Sequence, residues 1–209
     1  MMTTIPEDVR RLAERFGADL ACRTAIEAAI MAYRAANGGA AMVERPILFQ
    51  GPMVRAILDG RKTETRRLAS NPHAARIQPG DMLWVREAWA RAYVTQAMEE
   101  WFVYREADNS TDYGGPWKPS IHMPRAASRI LLRVTGVHVE PLQAITEDGA
   151  RAEGVEQDTD GWRDYQMPTT QCCASAWDSY RTLWNAINPK NPWDSNPSVR
   201  VIQFERVRP

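Results

Sequence analysis

Eight residues, Gly60-Arg61-Lys62-Thr63-Glu64-Thr65-Arg66-Arg67, gather four cations, two hydroxyls and one carboxylate. Such groups can hold an anion or pass a proton among themselves, provided that a scaffold fixes them. They follow an apolar run (Met53, Val54, Ala56, Ile57, Leu58) that stops at Gly60. Glycine commonly follows a helix C-terminus, so 52–59 is predicted as a helix and the charged residues as an exposed turn after it. Polar groups on a turn held by a rigid scaffold are where binding and catalysis concentrate. The same run also reads as a solvated basic loop with surface ion pairs.

The flanking elements are short. Residues 1–43 read as two helices, with Ile5, Val9, Leu12 and Phe16 on one face of the first and Ile26, Ile30 and Tyr33 on one face of the second. They would pack on the main domain or on a second copy of the chain. From residue 44, Pro46–Phe49, Met82–Val85, Trp101–Tyr104, Arg129–Val139 and the segment holding Val199, Val201 and Phe204 read as strands. Thr146 opens a short helix to Ala152, and 173–187 reads as a helix with Trp177, Tyr180 and Trp184 on one side. Residues 156–170 and 188–197 read as loops. Interleaved short strands and helices predict an α+β fold, a small barrel decorated by helices, with residues 1–43 as an N-terminal helical extension and 44–209 as the main domain.

Composition narrows the function. Of 209 residues, 44% are hydrophobic and 25% charged, as in ordinary globular proteins. No apolar run approaches the roughly 18 residues of a membrane span, and no signal peptide is recognised. Cys22, Cys172 and Cys173 suit neither a disulfide framework nor a zinc site, and His73, His122 and His138 lack metal-ligand spacing. A cytoplasmic setting, no membrane partner, no metal and no organic cofactor are expected. Formal net charge is zero, yet residues 44–135 are basic by four charges and 136–209 acidic by four. Gripping a long duplex usually takes a larger excess. A nucleoside or short single-stranded RNA is the better-matched partner.

The order of motifs resembles the ASCH domain of the PUA-like superfamily, in its phage and prophage form. It runs from Pro46–Leu58 through Gly60-Arg61-Lys62-Thr63-Glu64-Thr65, Gly80-Asp81, the segment Trp117–Arg125, the strand at 129–139 and Ala150-Arg151-Ala152-Glu153-Gly154, to the Val201, Phe204 and Val207 strand. The resemblance covers roughly 44–207 and includes an insertion at 91–128. It implies a small β-barrel with a cleft beside it, and a module that binds RNA or nucleosides. One bacterial branch of the family hydrolyses the N4-acetyl group of N4-acetylcytidine with a lysine, a threonine three residues later and a downstream glutamate. The matching positions here are Lys62, Thr65 and Glu153.

Chemically, Thr65 would supply a hydroxyl and Lys62 would deprotonate it. That requires a neutral amine, so the site must lower the lysine from its ordinary ~10.4 by burial or by neighbouring cations such as Arg61, Arg66 and Arg67. Glu153 would protonate the leaving nitrogen or steer a water. Arg61, Thr63, Arg66 and Arg67 are candidates for holding substrate. So are Glu87, which could receive a cytosine amino group or pair with an arginine, and Trp89 and Trp117 as stacking walls. Ser120 and His122, in the segment after Trp117, complete the set, though no nucleophile elbow surrounds them. Trp193 is a further wall candidate, whereas Trp84, Trp177 and Trp184 fall on periodic core positions. The expected activity is an amidohydrolase acting on a modified pyrimidine nucleoside. The rival expectations are a non-catalytic RNA or modified-base binding module and a metal-independent ribonuclease.

Overall fold

The computed structural model describes residues 43–94, 99–107, 113–169 and 172–207. The two expected N-terminal helices lie outside the described residues. The described residues divide into two bodies, one formed by those within 43–48, 82–131 and Val207, the other by those within 49–81 and 132–206.

In the first body, β1 (Glu44–Leu48) pairs parallel with β3 (Met82–Arg86), Ile47 opposite Val85. Strands β4 (Trp89–Val94) and β5 (Glu99–Tyr104) form an antiparallel ribbon, Trp89 opposite Tyr104. Those two rings pack with Met123 and Ala127 in a small core. The Tyr104 hydroxyl donates to the Ala127 carbonyl at 2.8 Å.

The second body holds α1 (Gly51–Leu58), β2 (Glu64–Leu68), β6 (Leu131–Pro141, all but its first residue), α2 (Glu147–Ala152), α3 (Ala176–Ile187) and β10 (Ser198–Val207) up to Arg206. Helix α1 starts with Pro52 in its first turn, where the missing N–H costs nothing. It buries Met53, Val54, Ala56 and Ile57, and Gly60 beyond it takes φ +77°, as the run predicted. Here β6, β10 and β2 lie side by side, β10 antiparallel to β2 with Val201 opposite Arg66. Val199 and Val201 on one face of β10 and Ile202 and Phe204 on the other are all buried. Helix α3 is capped by Ser175, whose hydroxyl accepts the Asp178 N–H at 3.0 Å. The Ala176 and Trp177 N–H groups donate to the Glu147 carboxylate at 3.0 Å each, which ties α3 to α2. First-turn donors of a helix have no internal partner, so a carboxylate there both satisfies them and complements the helix dipole.

Three expectations change. Residues 60–67 are not an exposed turn throughout: Glu64 to Leu68 form β2, because β10 supplies a strand partner and buries Glu64, Thr65 and Arg66. Residues 156–170 are not all loop, since β7 (Gln157–Asp158), β8 (Gly161–Arg163) and β9 (Cys172–Cys173) make a small sheet, and the 173–187 helix starts only at Ala176. Strands of two or three residues carry no readable alternation. Finally, among the described residues no sheet closes into a barrel; the fold is mixed α+β with open sheets. On the free edge of β2 a side chain stands where another strand would be.

Candidate functional site

That side chain is Glu153. Among the described residues β2 is last in its row, so the backbone N–H groups of its even-numbered residues, which face away from β10, meet no neighbouring strand there. The Arg66 N–H donates to Glu153 Oε1 at 2.5 Å, and the Thr63 N–H donates to the Ala152 carbonyl at 2.9 Å. A carboxylate at the end of α2 thus satisfies a donor that would otherwise be buried without a partner, a cost of roughly 1–3 kcal/mol.

The other carboxylate oxygen meets Lys62. Its Nζ donates to Glu153 Oε2 at 2.6 Å, to the Glu153 carbonyl at 2.7 Å and to the Glu64 carbonyl at 2.9 Å. Three acceptors match the three protons of an ammonium. Lys62 is 3% exposed and Glu153 4%. Burial lowers the proton affinity of Lys62 from its ordinary value, and Glu153 offsets only part of that effect.

Around the pair lies more charge. Arg66 bonds Glu64 at 2.5 Å and Glu140 at 2.9 Å, and comes within 3.5 Å of Glu153. Burial opposes the Arg66 charge, but Glu153 and Glu64 outweigh it and hold the guanidinium above its ordinary value. Lys62 and Arg67 both sit over the Phe49 ring, 5.5 Å and 5.4 Å from its centre. Burial lowers Arg67. Alternation along β2 puts Thr65 on the same face as Arg67. Thr65 is buried. Among the described residues, no hydrogen bond joins its hydroxyl to Lys62 or Glu153.

Gly154 makes this convergence sterically feasible. It follows Glu153 with φ +82°, and a Cβ there would stand 2.8 Å from both the Ala56 and Lys62 Cβ atoms. Gly154→Ala is expected to cost at least about 2 kcal/mol from backbone strain plus overpacking. Urea unfolding measures it, and a loss under about 0.5 kcal/mol would show that the contact relaxes freely.

Helical spacing in the sequence places Tyr180 on one side of a helix with Trp177 and Trp184 and says no more of it. Its hydroxyl donates to Glu153 Oε1 at 3.3 Å. The signal was available in principle, because a tyrosine on a buried face needs a partner for its O–H, but nothing in the sequence named the partner. Burial, then Glu153, raise its phenol well above the ordinary value. Burial likewise raises Tyr165, to about 12. Above about pH 10 the unfolded chain gives up phenolic protons that the native state keeps, so stability falls as pH rises. Lys62 acts oppositely: lowered in the native state, it favours folding increasingly as pH rises to its unfolded value near 10.5, and adds no slope beyond. Between about pH 10.5 and 12 the folding constant is therefore expected to fall roughly tenfold per pH unit for each buried phenol. Tyr180→Phe should show a shallower fall in urea unfolding over that range, and slopes equal to the parent's would refute the assignment.

The remaining candidates lie elsewhere. Arg61 and Thr63 are exposed beside Lys62, Arg61 donating to Asp59 at 3.0 Å. Glu87, Trp89, Trp117, Ser120 and His122 belong to the first body. Glu87, 1% exposed, gives both oxygens to Arg129 at 2.9 Å each. Trp89 is core, its ring nitrogen has no hydrogen-bond partner among the described residues, and Lys118 lies over its face at 5.0 Å. Trp117 is half-buried, edge-on to Tyr113, and Ser120–His122 is a turn of 3-10 helix with His122 exposed. Trp193 is buried against Trp177 and Tyr180. Trp84, expected in the core, is only partly covered, with Arg86 over its ring. Among the described residues, no group of three His, Cys, Asp or Glu side chains could hold a metal ion, and no helix is long and apolar enough to cross a membrane.

No protein-family model matches the chain, and neither does any curated protein. Similar solved structures include the ASCH domain from Lactobacillus crispatus JV V101, with a TM-score of 0.43 and 14% identity over 80% of this chain and 81% of that one. They also include a DUF984 protein from Enterococcus faecalis V583, with a TM-score of 0.43 and 13% identity over 88% and 89% of the two chains.

Proposed function

We propose that Lys62, Thr65 and Glu153 form a hydrolytic centre that removes an acyl group from a modified pyrimidine nucleoside of the N4-acetylcytidine kind. The observation that carries this reading is the 2.6 Å bond between two oppositely charged groups, 91 residues apart and almost dry, beside a threonine strand. The ordered ASCH-like motifs of the sequence support it as well.

A short bond in a desolvated place lets one proton cross from Nζ to Oε2, leaving a neutral amine and a carboxylic acid. The Thr65 hydroxyl then gives its proton to the Lys62 amine while its oxygen bonds to the acyl carbon. Glu153 delivers its proton to the departing N4 nitrogen as the C–N bond breaks. The ammonium–carboxylate pair is thereby restored. In the second half, water loses a proton to Glu153 and attacks the acyl carbon, while Lys62 returns a proton to the Thr65 oxygen. Arg67, on Thr65's face of β2, supplies donors for the oxyanion. No metal or organic cofactor enters any step.

The test is direct. The protein incubated with N4-acetylcytidine is expected to release cytidine and acetate in equal amounts, followed by chromatography. Absence of release from the free nucleoside and from an acetylated RNA oligomer would remove the hydrolytic reading.

A second reading rests on the same bonds. All three Lys62 protons are taken by protein acceptors and Glu153 also seals the β2 edge, which suits a structural stitch beneath a non-catalytic RNA or modified-base binding surface. For that reading, RNA affinity should fall steeply with salt and no cytidine should appear.

A further inference from the structure

A cavity of about 430 Å³ opens in the second body between the turn after α1, the end of α2 and the β7–β8 hairpin. Its walls include Arg61, Arg151, Val155, Glu156, Gln157 and Trp162; Lys62, Thr65 and Glu153 do not line it. The volume falls within the roughly 300–1,000 Å³ of small-molecule sites.

Its charges differ in kind from the buried cluster. Arg61 pairs with exposed Asp59 at 3.0 Å and reaches the Gly154 carbonyl at 3.4 Å. Arg151 pairs with Glu147 at 3.3 Å and Asp148 at 3.8 Å, both solvent-accessible. Exposed pairs of this sort contribute about 0–1 kcal/mol, so a ligand anion can take either guanidinium over at little cost. Glu156, the carboxylate in the wall, is already neutralised by Arg163. Arg151 sits over the Trp162 ring, 5.6 Å from its centre, so a guanidinium and a flat apolar surface share one wall of the cavity. Val155 is buried beneath, and Gln157 is an exposed amide with both a donor and an acceptor.

The geometry points to a binding site for a flat aromatic ring that carries an anionic group, the chemistry shared by mononucleotides and aromatic carboxylates. The ring lies against Trp162, and the anion is held between Arg61 and Arg151. The site stands whether or not Lys62 is catalytic, because none of the proposed hydrolytic residues lines it.

Calorimetric titration of the whole chain with 5′-AMP, adenosine, benzoate and inorganic phosphate tests this. AMP or benzoate is expected to bind at least about tenfold more tightly than adenosine and phosphate, and which of the two binds identifies the source of the ring. Arg151→Ala and Trp162→Ala each are expected to weaken that ligand about tenfold or more while unfolding thermally like the parent. If both variants lose thermal stability, Arg61→Ala and Gln157→Ala take their place. Phosphate binding as tightly as AMP, no binding of AMP or benzoate up to about 1 mM, or binding unchanged in the variants would overturn the proposal.

Discussion

Thr65→Val is expected to lower the turnover of N4-acetylcytidine by more than about a thousandfold while leaving the fold intact. Removing a nucleophile in a concerted catalytic set costs most of the rate that the set supplies. Valine nearly matches threonine in shape and keeps the β-branching that favours a strand. Among the described residues the Thr65 hydroxyl has no bond to Lys62 or Glu153, so its loss leaves their bonds in place. Stability should therefore change far less than activity. Rates are read by chromatography under saturating substrate, and folding by urea unfolding. A variant retaining a tenth of the parent rate would exclude Thr65 as nucleophile and leave water, steered by Glu153, as the attacking group.

Lys62→Met is expected to destabilise the protein by about 3–5 kcal/mol, the usual cost of stranding one member of a buried ion pair. For a chain of this size that corresponds to a melting temperature lower by about 6–20 °C. The reason lies in what remains: Glu153 stays buried, bonded to the Arg66 N–H at 2.5 Å, and has lost its closest counter-charge. Arg66 does not replace it, since that guanidinium already serves Glu64 and Glu140 and reaches Glu153 only at 3.5 Å. The double variant Lys62→Met/Glu153→Gln separates this from simple loss of packing. Glutamine keeps an acceptor for the Arg66 N–H and carries no charge. The double change should cost about 0.5–3 kcal/mol less than the sum of the two singles. Strict additivity would mean that the two side chains do not interact energetically.

These two expectations separate two roles that share one place. The Lys62–Glu153 pair fastens the end of α2 to the free edge of β2, and that role costs stability when broken. The proposed chemistry asks for a hydroxyl that takes no part in the fastening. A protein in which Lys62→Met unfolds readily, yet which never releases cytidine, would be a binding module with a buried stitch.

Read alone, the sequence determined the features that depend on near neighbours. The apolar run into Gly60 sets α1 and its stop because helix periodicity and a left-handed glycine are local properties. Alternating Leu132 and Val134 mark β6, and the apolar Val199, Val201 and Phe204 mark β10, for the same reason. The lysine and threonine three residues apart were equally plain.

Tertiary structure alone decided which of these charges are buried. Glu64-Thr65-Arg66-Arg67 looks solvated as a string, and becomes an edge strand only because β10, more than 130 residues later, pairs with it. Lys62 becomes a dry amine only because Glu153, 91 residues away, arrives through a glycine that lets the two backbones close up. The Tyr180 hydroxyl meets the same carboxylate from a third element. Burial of a charge is settled by the partner that compensates it, and no local pattern states where that partner lies.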